Sequence, residues 1–257
     1  MFSRRTPRHN RRFRDVARAF FWPPTQVSGC VAWVDCQETL TQAGTVTSIR
    51  NMVSGVDWTE ATNPPTYAAT GLNGRPCMIG NGSSMRIMST EAAVVAACSG
   101  SDKAVTVFLV TEEPTPDAIN VLFAAASSAV NTNSTLSFFT TTAGLGRWSV
   151  QRIDDAAGTV SAPRGVDIAA GPQIVSWVIP GTTASIYVGD EEQADPNAAA
   201  FDVGATTPTR VALLCRPDLT PDLFADAKIG ALLLYSRALS DLERIGVVNG
   251  LRARWGL

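Results

Sequence analysis

Short apolar segments separated by turn residues recur along most of this chain, and they constrain its fold more than any other feature. The segments are too short for stable helices and are rich in Val, Thr, Phe and Ile, which favours β-strands. Segment 104–110 is almost continuously apolar, which predicts a central strand covered on both faces. Further strands are predicted at 121–125, 135–140, 146–152, 173–179, 184–188 and 210–214.

The composition agrees with an all-β chain. Of the 257 residues, 45% are hydrophobic and only 17% are charged, so the chain can bury a large core. No run approaches the roughly 18 apolar residues of a transmembrane helix, so no membrane span is predicted. Neither an internal repeat nor a linker interrupts 27–257, which predicts one antiparallel β-sandwich domain there.

The last 29 residues predict a strand followed by a helix. Segment 229–235 has the length and apolar content of a buried strand. Ser240 and Glu243 have the spacing of a capping box, in which each side chain bonds the other residue's backbone N–H. The residues that recur at helical spacing after this cap are Ile245, Val248, Leu251 and Trp255. We therefore expect a short amphipathic C-terminal helix that lies on a sheet.

The first third of the domain is more irregular. Strands are predicted at 27–35 and 45–50, and 51–62 has a loop-like composition. Segment 72–76 predicts a turn, in which Gly74 is free to take a positive φ. Segments 77–79 and 85–88 flank the turn residues 80–84, which predicts a hairpin.

Charge divides the chain into two parts. Residues 1–22 carry seven arginines and one carboxylate, a net charge of +6, which leaves −8 on the rest of a chain whose total is −2. No apolar core of a secretory signal precedes the domain, so we expect this arm, bounded at residue 26, to remain in the mature protein. If residues 10–22 form a helix, aromatic residues occupy one face of it and arginines the other.

A basic, aromatic arm of this kind is typical of a segment that docks onto a partner. The partner classes are another protein's acidic groove, nucleic acid or an anionic membrane surface, and a solvated tail is the alternative. The acidic domain makes nucleic acid the weakest of the three. The predicted docking residues are Arg4, Arg5, Arg8, Arg11, Arg12, Phe13, Arg14, Phe20, Phe21 and Trp22.

The histidine and carboxylate residues are not spaced as the catalytic groups of an active site would be. The single histidine, His9, lies in the arm, so a histidine-based dyad in the domain is excluded. Asp154 and Asp155 are adjacent, and Asp190 to Glu192 are consecutive, so we interpret both groups as parts of solvated loops and not as the paired carboxylates of a glycosidase strand. We expect no enzymatic activity and no cofactor. The five cysteines are predicted to be free and mostly buried, with a Cys30–Cys36 disulfide as the alternative.

Three groups of residues resemble the laminin-G/concanavalin A-like jelly-roll domains of bacteriophage and bacterial surface proteins. They are the opening 28–35, the pair of segments 64–67 and 72–83, and the ending 229–257. The resemblance covers 27–257 and implies a lectin-like jelly roll. In that family the turn at 80–84 is often acidic and suits calcium. Here Asn81 and Ser84 occupy those places, so calcium is not favoured.

Two functions follow from the resemblance and the arm. The first is a structural surface protein of a phage or phage-like particle, such as a gene transfer agent. Its arm would dock on the capsid or a vertex or tail partner, and its domain would contact host surface glycans, in a homo-oligomer assembled in the bacterial cytoplasm. The second is an exported bacterial carbohydrate-binding module. The residues predicted to bind the glycan, by aromatic stacking and polar contacts, are Asp57, Trp58, Asn63, Tyr67 and Trp148.

Overall fold

Two antiparallel β-sheets packed face to face form the described part of the chain. The computed structural model describes residues 24–38, 44–113, 119–129, 134–141, 146–163, 168–193, 201–202 and 204–257. The predicted arm, residues 1–22, lies outside the described residues. Docking by that arm, and the division of the chain into an arm and a domain, therefore remain predictions.

Sixteen strands and two α-helices are described. The helices are α1 (Ala92–Ala97) and α2 (Asp241–Trp255). The strands are β1 (Cys30–Asp35), β2 (Ser48–Arg50), β3 (Asp57–Thr59), β4 (Thr66–Leu72), β5 (Arg75–Ile79), β6 (Ile87–Ser89), β7 (Val105–Glu112), β8 (Asn120–Ala126), β9 (Thr135–Thr141), β10 (Arg147–Ile153), β11 (Thr159–Pro163), β12 (Gln173–Ile179), β13 (Ser185–Val188), β14 (Glu191–Gln193), β15 (Arg210–Leu213) and β16 (Lys228–Tyr235).

The first sheet has the order β14-β13-β12-β7-β16-β5-β4, and β1 also pairs with β16. One face of this sheet forms the interior of the sandwich, because Trp177 on β12 meets Phe138 of the other sheet at 5.3 Å between ring centroids. Neighbouring positions point to the opposite, outer face. A row of paired residues crosses that outer face: Trp33, Leu233, Phe108, Ser176 and Tyr187.

The second sheet has the order β11-β10-β9-β8-β15-β6-β3-β2. Its inner face carries Trp58, Phe123 and Phe138, whose rings stack in sequence at 6.5 and 5.7 Å between centroids. The alternating positions form a row of mostly small or polar residues on the outer face: Gln151, Ser137, Ala124, Ala212, Met88 and Thr59. The two sheets therefore share one core and differ in their outer faces.

Helix α2 covers the outer face of the first sheet. The capping box predicted for its start is present: Ser240 accepts from the Glu243 N–H, and the Glu243 carboxylate accepts from the Ser240 N–H. The Arg244 guanidinium lies 3.7 Å from the centre of the Tyr187 ring at one end of the outer row. Arg254 lies 5.6 Å from the Trp33 ring at the other end. The predicted helix on a sheet is thus confirmed.

Most predicted strands are confirmed, and 173–179 is matched to the residue by β12. The central position predicted for 104–110 is confirmed too, because β7 lies between β12 and β16. The predicted turn at 72–76 is confirmed, with Asn73 and Gly74 both at positive φ. The interpretation of 51–62 as loop throughout is wrong, because β3 lies within it.

The predicted hairpin of 77–79 and 85–88 is also wrong. Strand β5 belongs to the first sheet and β6 to the second, so the intervening residues cross from one sheet to the other. Two local contacts hold this crossing. The Asn81 side chain accepts backbone N–H groups from Ser83, Ser84 and Met85. Gly80 lies so close to the Ala225 carbonyl that a Cβ on it would be 2.1 Å from that oxygen.

All five cysteines are free, and all but Cys30 are buried. The free thiols predicted from the sequence are confirmed, and the alternative Cys30–Cys36 disulfide does not form. Burial raises the pKa of Cys98 and of Cys215 to about 12. Among the described residues, no helix has the length and apolar character needed to cross a membrane.

Candidate functional site

The outer face of the second sheet is the part of the sandwich best suited to a ligand. Helix α2 occupies the outer face of the first sheet, whereas no described helix lies across the corresponding row of the second sheet. Its row of Ser137, Ala124 and Ala212 has small, buried side chains, so loops and not a helix shape the surface above these strands. A ligand that binds this sandwich on a sheet face would therefore use the second sheet.

A loop, residues 214–226, crosses this outer face, and we call it the strap. Its Leu223 packs on Val121, Ala124 and Phe139 of the sheet. Arg210 on β15 donates from Nε to the Pro217 carbonyl at 2.7 Å and from Nη2 to the Asp218 carbonyl. These contacts attach the strap to the sheet and divide the outer face into two clefts.

The strap also carries an internal ion-pair network. The Arg216 guanidinium contacts the Asp218 carboxylate at 2.9 Å and the Asp222 carboxylate at 2.7 Å. Asp218 is fully buried, and a buried carboxylate is stable only when it is paired and hydrogen-bonded. The network therefore fixes the conformation of the strap and, through it, the shape of the cleft that the strap lines.

One cleft, which we call the Glu91 cleft, has a volume of about 450 Å³. Glu91 lines this cleft, and its carboxylate accepts hydrogen bonds from the buried Asn51 amide at 3.1 and 2.9 Å and from the Trp58 indole at 3.3 Å. Apolar and hydroxyl groups share the lining with charged ones. The lining residues are Val56, Asp57, Thr59, Met88, Ser89, Thr90, Glu91, Ala92 and Arg210.

The other cleft, which we call the Phe224 cleft, lies at the far side of the strap and has a volume of about 510 Å³. Partly exposed Phe224 and Leu223, together with exposed Ile119, give it an apolar surface. Carboxylates and amides surround that surface. The lining residues are Asn81, Gly82, Ile119, Asn120, Pro221, Asp222, Leu223, Phe224 and Asp226.

A small hollow of about 80 Å³ extends the Phe224 cleft across the strands. It shares Ile119 and Leu223 with that cleft and continues over Phe139, Ser137 and Gln151. Apolar side chains beside amide and hydroxyl groups form the kind of surface that binds sugars, since a pyranose presents both C–H faces and hydroxyls.

The structure brings only one of the five predicted glycan residues into a cleft. Asp57 lies at the edge of β3, exposed, and lines the Glu91 cleft while pairing with Arg50 at 3.2 Å. Trp58 is fully buried and stacks on Phe123, so its ring presents no face to solvent. Its indole N–H instead orients Glu91, which places Trp58 behind the cleft wall.

The other three line neither cleft. Trp148 is 2% exposed and meets Trp177 in the core at 6.1 Å, so it does not project from the sheet. Tyr67 is half-buried on β4 of the first sheet, and Asn63 lies in the loop before that strand. The five residues therefore do not form one site. A glycan role for these residues remains a prediction, and Asp57 is the one member of the set that lines a cleft.

The structure also locates the groups considered for metal binding or catalysis. Within the described ranges, no group of three or more His, Cys, Asp or Glu side chains is placed to hold a metal ion. Asp154, predicted to lie in a solvated loop, is instead buried and accepts backbone N–H groups from Ala156, Gly158 and Gly204. These bonds lower the pKa of Asp154, that from Gly158 most. Its role is to hold neighbouring loops together.

The residues that sequence reasoning missed are Glu91 and the strap. Glu91 precedes a short apolar helix and has the appearance of a solvated helix-start residue. Its partners lie 40 and 33 residues away in the chain, so no local pattern reveals them. The strap sequence is rich in Pro and Asp, which predicts only an exposed loop.

Solved structures with a similar fold include carbohydrate-binding modules. No protein-family model and no curated protein matches the sequence. The CBM40 module of the Ruminococcus gnavus IT-sialidase bound to alpha2,3 sialyllactose has a TM-score of 0.53 at 15% identity, over 67% of this chain and 95% of the module. The same module bound to alpha2,6 sialyllactose has a TM-score of 0.50 at 16% identity, over 68% and 98%.

A sialidase of Trypanosoma rangeli in complex with 2,3-difluorosialic acid has a TM-score of 0.57 at 14% identity. The match covers 87% of this chain but only 33% of the sialidase, so the chain spans about a third of that enzyme. Identities this low establish the fold alone. The predicted fold class is confirmed: the chain is an antiparallel β-sandwich of two sheets, with a C-terminal helix packed on one of them.

Proposed function

We propose that this protein is a non-catalytic glycan-binding module that holds its ligand on the outer face of the second sheet. The observation that carries the proposal is the pair of clefts, of about 450 and 510 Å³, on the sheet face that α2 leaves uncovered. The similar CBM40 structures, which are bound to sialyllactose, support a glycan as the class of ligand.

The Phe224 cleft supplies the chemistry for a sugar. The Phe224 ring and Leu223 offer an apolar surface for the C–H face of a pyranose, and removing that face from water stabilises the complex. Asp222 lies at the edge of this surface, where its carboxylate oxygens, each of which accepts one hydrogen bond from Arg216, can also accept hydroxyl protons. The strap contacts described above hold these groups in place before any ligand binds.

A glycan array probed with the full chain tests the proposal, followed by titration of the best binder. Phe224→Ala should weaken binding by about tenfold or more, because the lost apolar contact is worth about 1.5–3 kcal/mol. Leu242→Ala is the matched control, since Leu242 is 52% exposed on α2 and lies on the other side of the sandwich. Unchanged affinity in Phe224→Ala, or no glycan bound at all, would refute the proposal.

The finer proposal concerns where the module works. We infer that it is displayed on a phage or phage-like particle, with residues 1–22 docked on a capsid or other particle protein. The +6 charge of the arm against −8 on the remainder supports a two-part molecule of this kind. Deletion of residues 1–22 tests it: particles should then lose the protein while the isolated chain keeps its glycan affinity. Full incorporation of the shortened chain would instead favour the alternative, an exported carbohydrate-binding module.

A further inference from the structure

We propose that the Glu91 cleft selects glycans that carry a free amino group, so that the ligand is an amino sugar chain and not an acidic one. This inference rests on the proposed function and adds the chemical class of the ligand. It is carried by the hydrogen-bond partners of Glu91, by the two carboxylate residues that line the cleft and by the net charge of residues 23–257.

Among the described residues, the groups that hold Glu91 in place are neutral. Its two oxygens accept hydrogen bonds from the Asn51 amide and the Trp58 indole. Asn51 is itself fully buried and fixed, because its Oδ1 accepts the backbone N–H of Trp33 and its Nδ2 also donates to the Val31 carbonyl. Within the described chain, no Lys or Arg forms an ion pair with Glu91. The carboxylate is thus oriented without being neutralised.

Capacity for a further donor remains on this carboxylate. Two carboxylate oxygens provide about four acceptor positions, and the Asn51 and Trp58 contacts use three of them. Glu91 is partly exposed and lines the cleft, as do Thr90 and Ser89. An ammonium group that entered the cleft would therefore meet a fixed anion and neighbouring hydroxyls, which is the environment that charge-assisted hydrogen bonds require.

The cleft does not suit a carboxylate-bearing sugar to the same degree. Asp57 adds a second carboxylate to the lining, at an exposed position where Arg50 pairs with it weakly. Arg210 is the one basic residue in the lining, and its Nε and Nη2 donate to two carbonyls of the strap, so two carboxylate residues and one guanidinium share the cleft. The −8 charge of residues 23–257 further attracts cationic ligands and repels anionic ones.

The test compares three probes of similar length on the full chain: glucosamine oligomers, their N-acetylated counterparts and sialyllactose. Titration at pH 6 keeps an amine of the α-amino type, with a pKa of about 7.7–8.0, protonated. Glucosamine oligomers should bind about tenfold more tightly than N-acetylated ones, since a hydrogen bond to a charged group is worth about 1.5–3 kcal/mol. Sialyllactose should bind most weakly.

Two variants locate the selectivity. Glu91→Gln should reduce the amine-to-acetyl affinity ratio to about one, since the fixed charge is gone. Asp57→Asn, at an exposed position that tolerates change, should reduce the ratio by about twofold and serves if Glu91→Gln fails to fold. Asp241→Asn is the matched control, because its side chain is 80% exposed on α2, and it should leave the ratio unchanged.

The outcomes separate the two proposals. Three results would overturn the amino-sugar inference while glycan binding stands. They are equal affinity for amine and N-acetylated oligomers, a preference for sialyllactose, and an unchanged amine-to-acetyl affinity ratio in both the Asp57→Asn and the Glu91→Gln variant. Loss of the ratio in Glu91→Gln with a normal melting temperature would support it. Failure of every glycan to bind would instead refute the proposed function, and this inference with it.

Discussion

Replacing Gly230 by alanine tests directly whether α2 packs on the first sheet as described. Gly230 lies in the irregularity of β16 between Ile229 and Ala231. A Cβ at this position would lie 2.4, 2.6 and 2.9 Å from three atoms of the Trp255 ring. Carbon atoms prefer separations of about 3.5–4.0 Å, so the ring would have to move by about 1 Å. Trp255 is fully buried and cannot move freely.

The expected cost follows from this crowding. Overpacking a well-packed core destabilises by about 1–3 kcal/mol, and we expect Gly230→Ala to lower the free energy of unfolding by that amount. Against a typical domain stability of about 5–15 kcal/mol, this is a measurable fraction. Urea denaturation followed by far-ultraviolet circular dichroism gives the value without depending on tryptophan fluorescence.

A second background provides the control. In a Trp255→Leu chain the indole ring is absent, so adding Gly230→Ala should cost less than about 0.5 kcal/mol, or stabilise slightly by restricting the unfolded backbone. The coupling between the two positions should therefore be about as large as the penalty itself. A penalty that is absent in the native background, or that persists in full when the smaller leucine side chain replaces the indole, would refute the packing described for α2.

Three further predictions concern charges and thiols. The pKa of Glu243 is lowered to about 2, mainly by the hydrogen bond from Arg237, so its stabilisation is present above the ordinary value of 4.5 and is lost as the pH falls through about 2. Glu243→Gln should thus lower the melting temperature at pH 7, and its melting temperature should fall less steeply than that of the native chain as the pH is lowered from 4.5 to 2. An equally steep fall in both chains would contradict this. Arg244→Ala removes a buried guanidinium from the Tyr187 ring and from two carbonyls, and should cost at least about 2 kcal/mol in urea denaturation, where a cost below about 0.5 kcal/mol would be the contrary result. Because burial raises the pKa of thiols such as Cys98, a disulfide reagent at about pH 8 should label at most one thiol per folded chain and all five in denaturant; rapid labelling of several native thiols would disprove their burial.

Strand positions were predictable because alternation and turn residues are local signals. Segment 173–179 could be assigned from its own residues, and so could the capping box of Ser240 and Glu243, whose partners are three residues apart. Both features depend on neighbours in the sequence. The sheet to which a strand belongs does not, and for that reason the predicted pairing of β5 with β6 is wrong.

The direction of each strand face was also beyond local reasoning. Alternation on β10 shows that Trp148 and its neighbour point opposite ways, but it does not show which side is the interior. That choice is made by Trp177 on the other sheet. Likewise, the place of Glu91 in a cleft depends on Asn51 and Trp58, which the fold brings to it from distant parts of the chain.

The central claim, that a glycan binds the outer face of the second sheet, is tested most directly by hydrogen–deuterium exchange of the full chain with and without its tightest-binding glycan. We expect slower exchange at 56–59, 88–91 and 221–226, the backbone that lines the two clefts. We expect no change along α2 on the opposite side of the sandwich. Protection confined to α2, or exchange unaltered in both clefts by a bound glycan, would contradict the account.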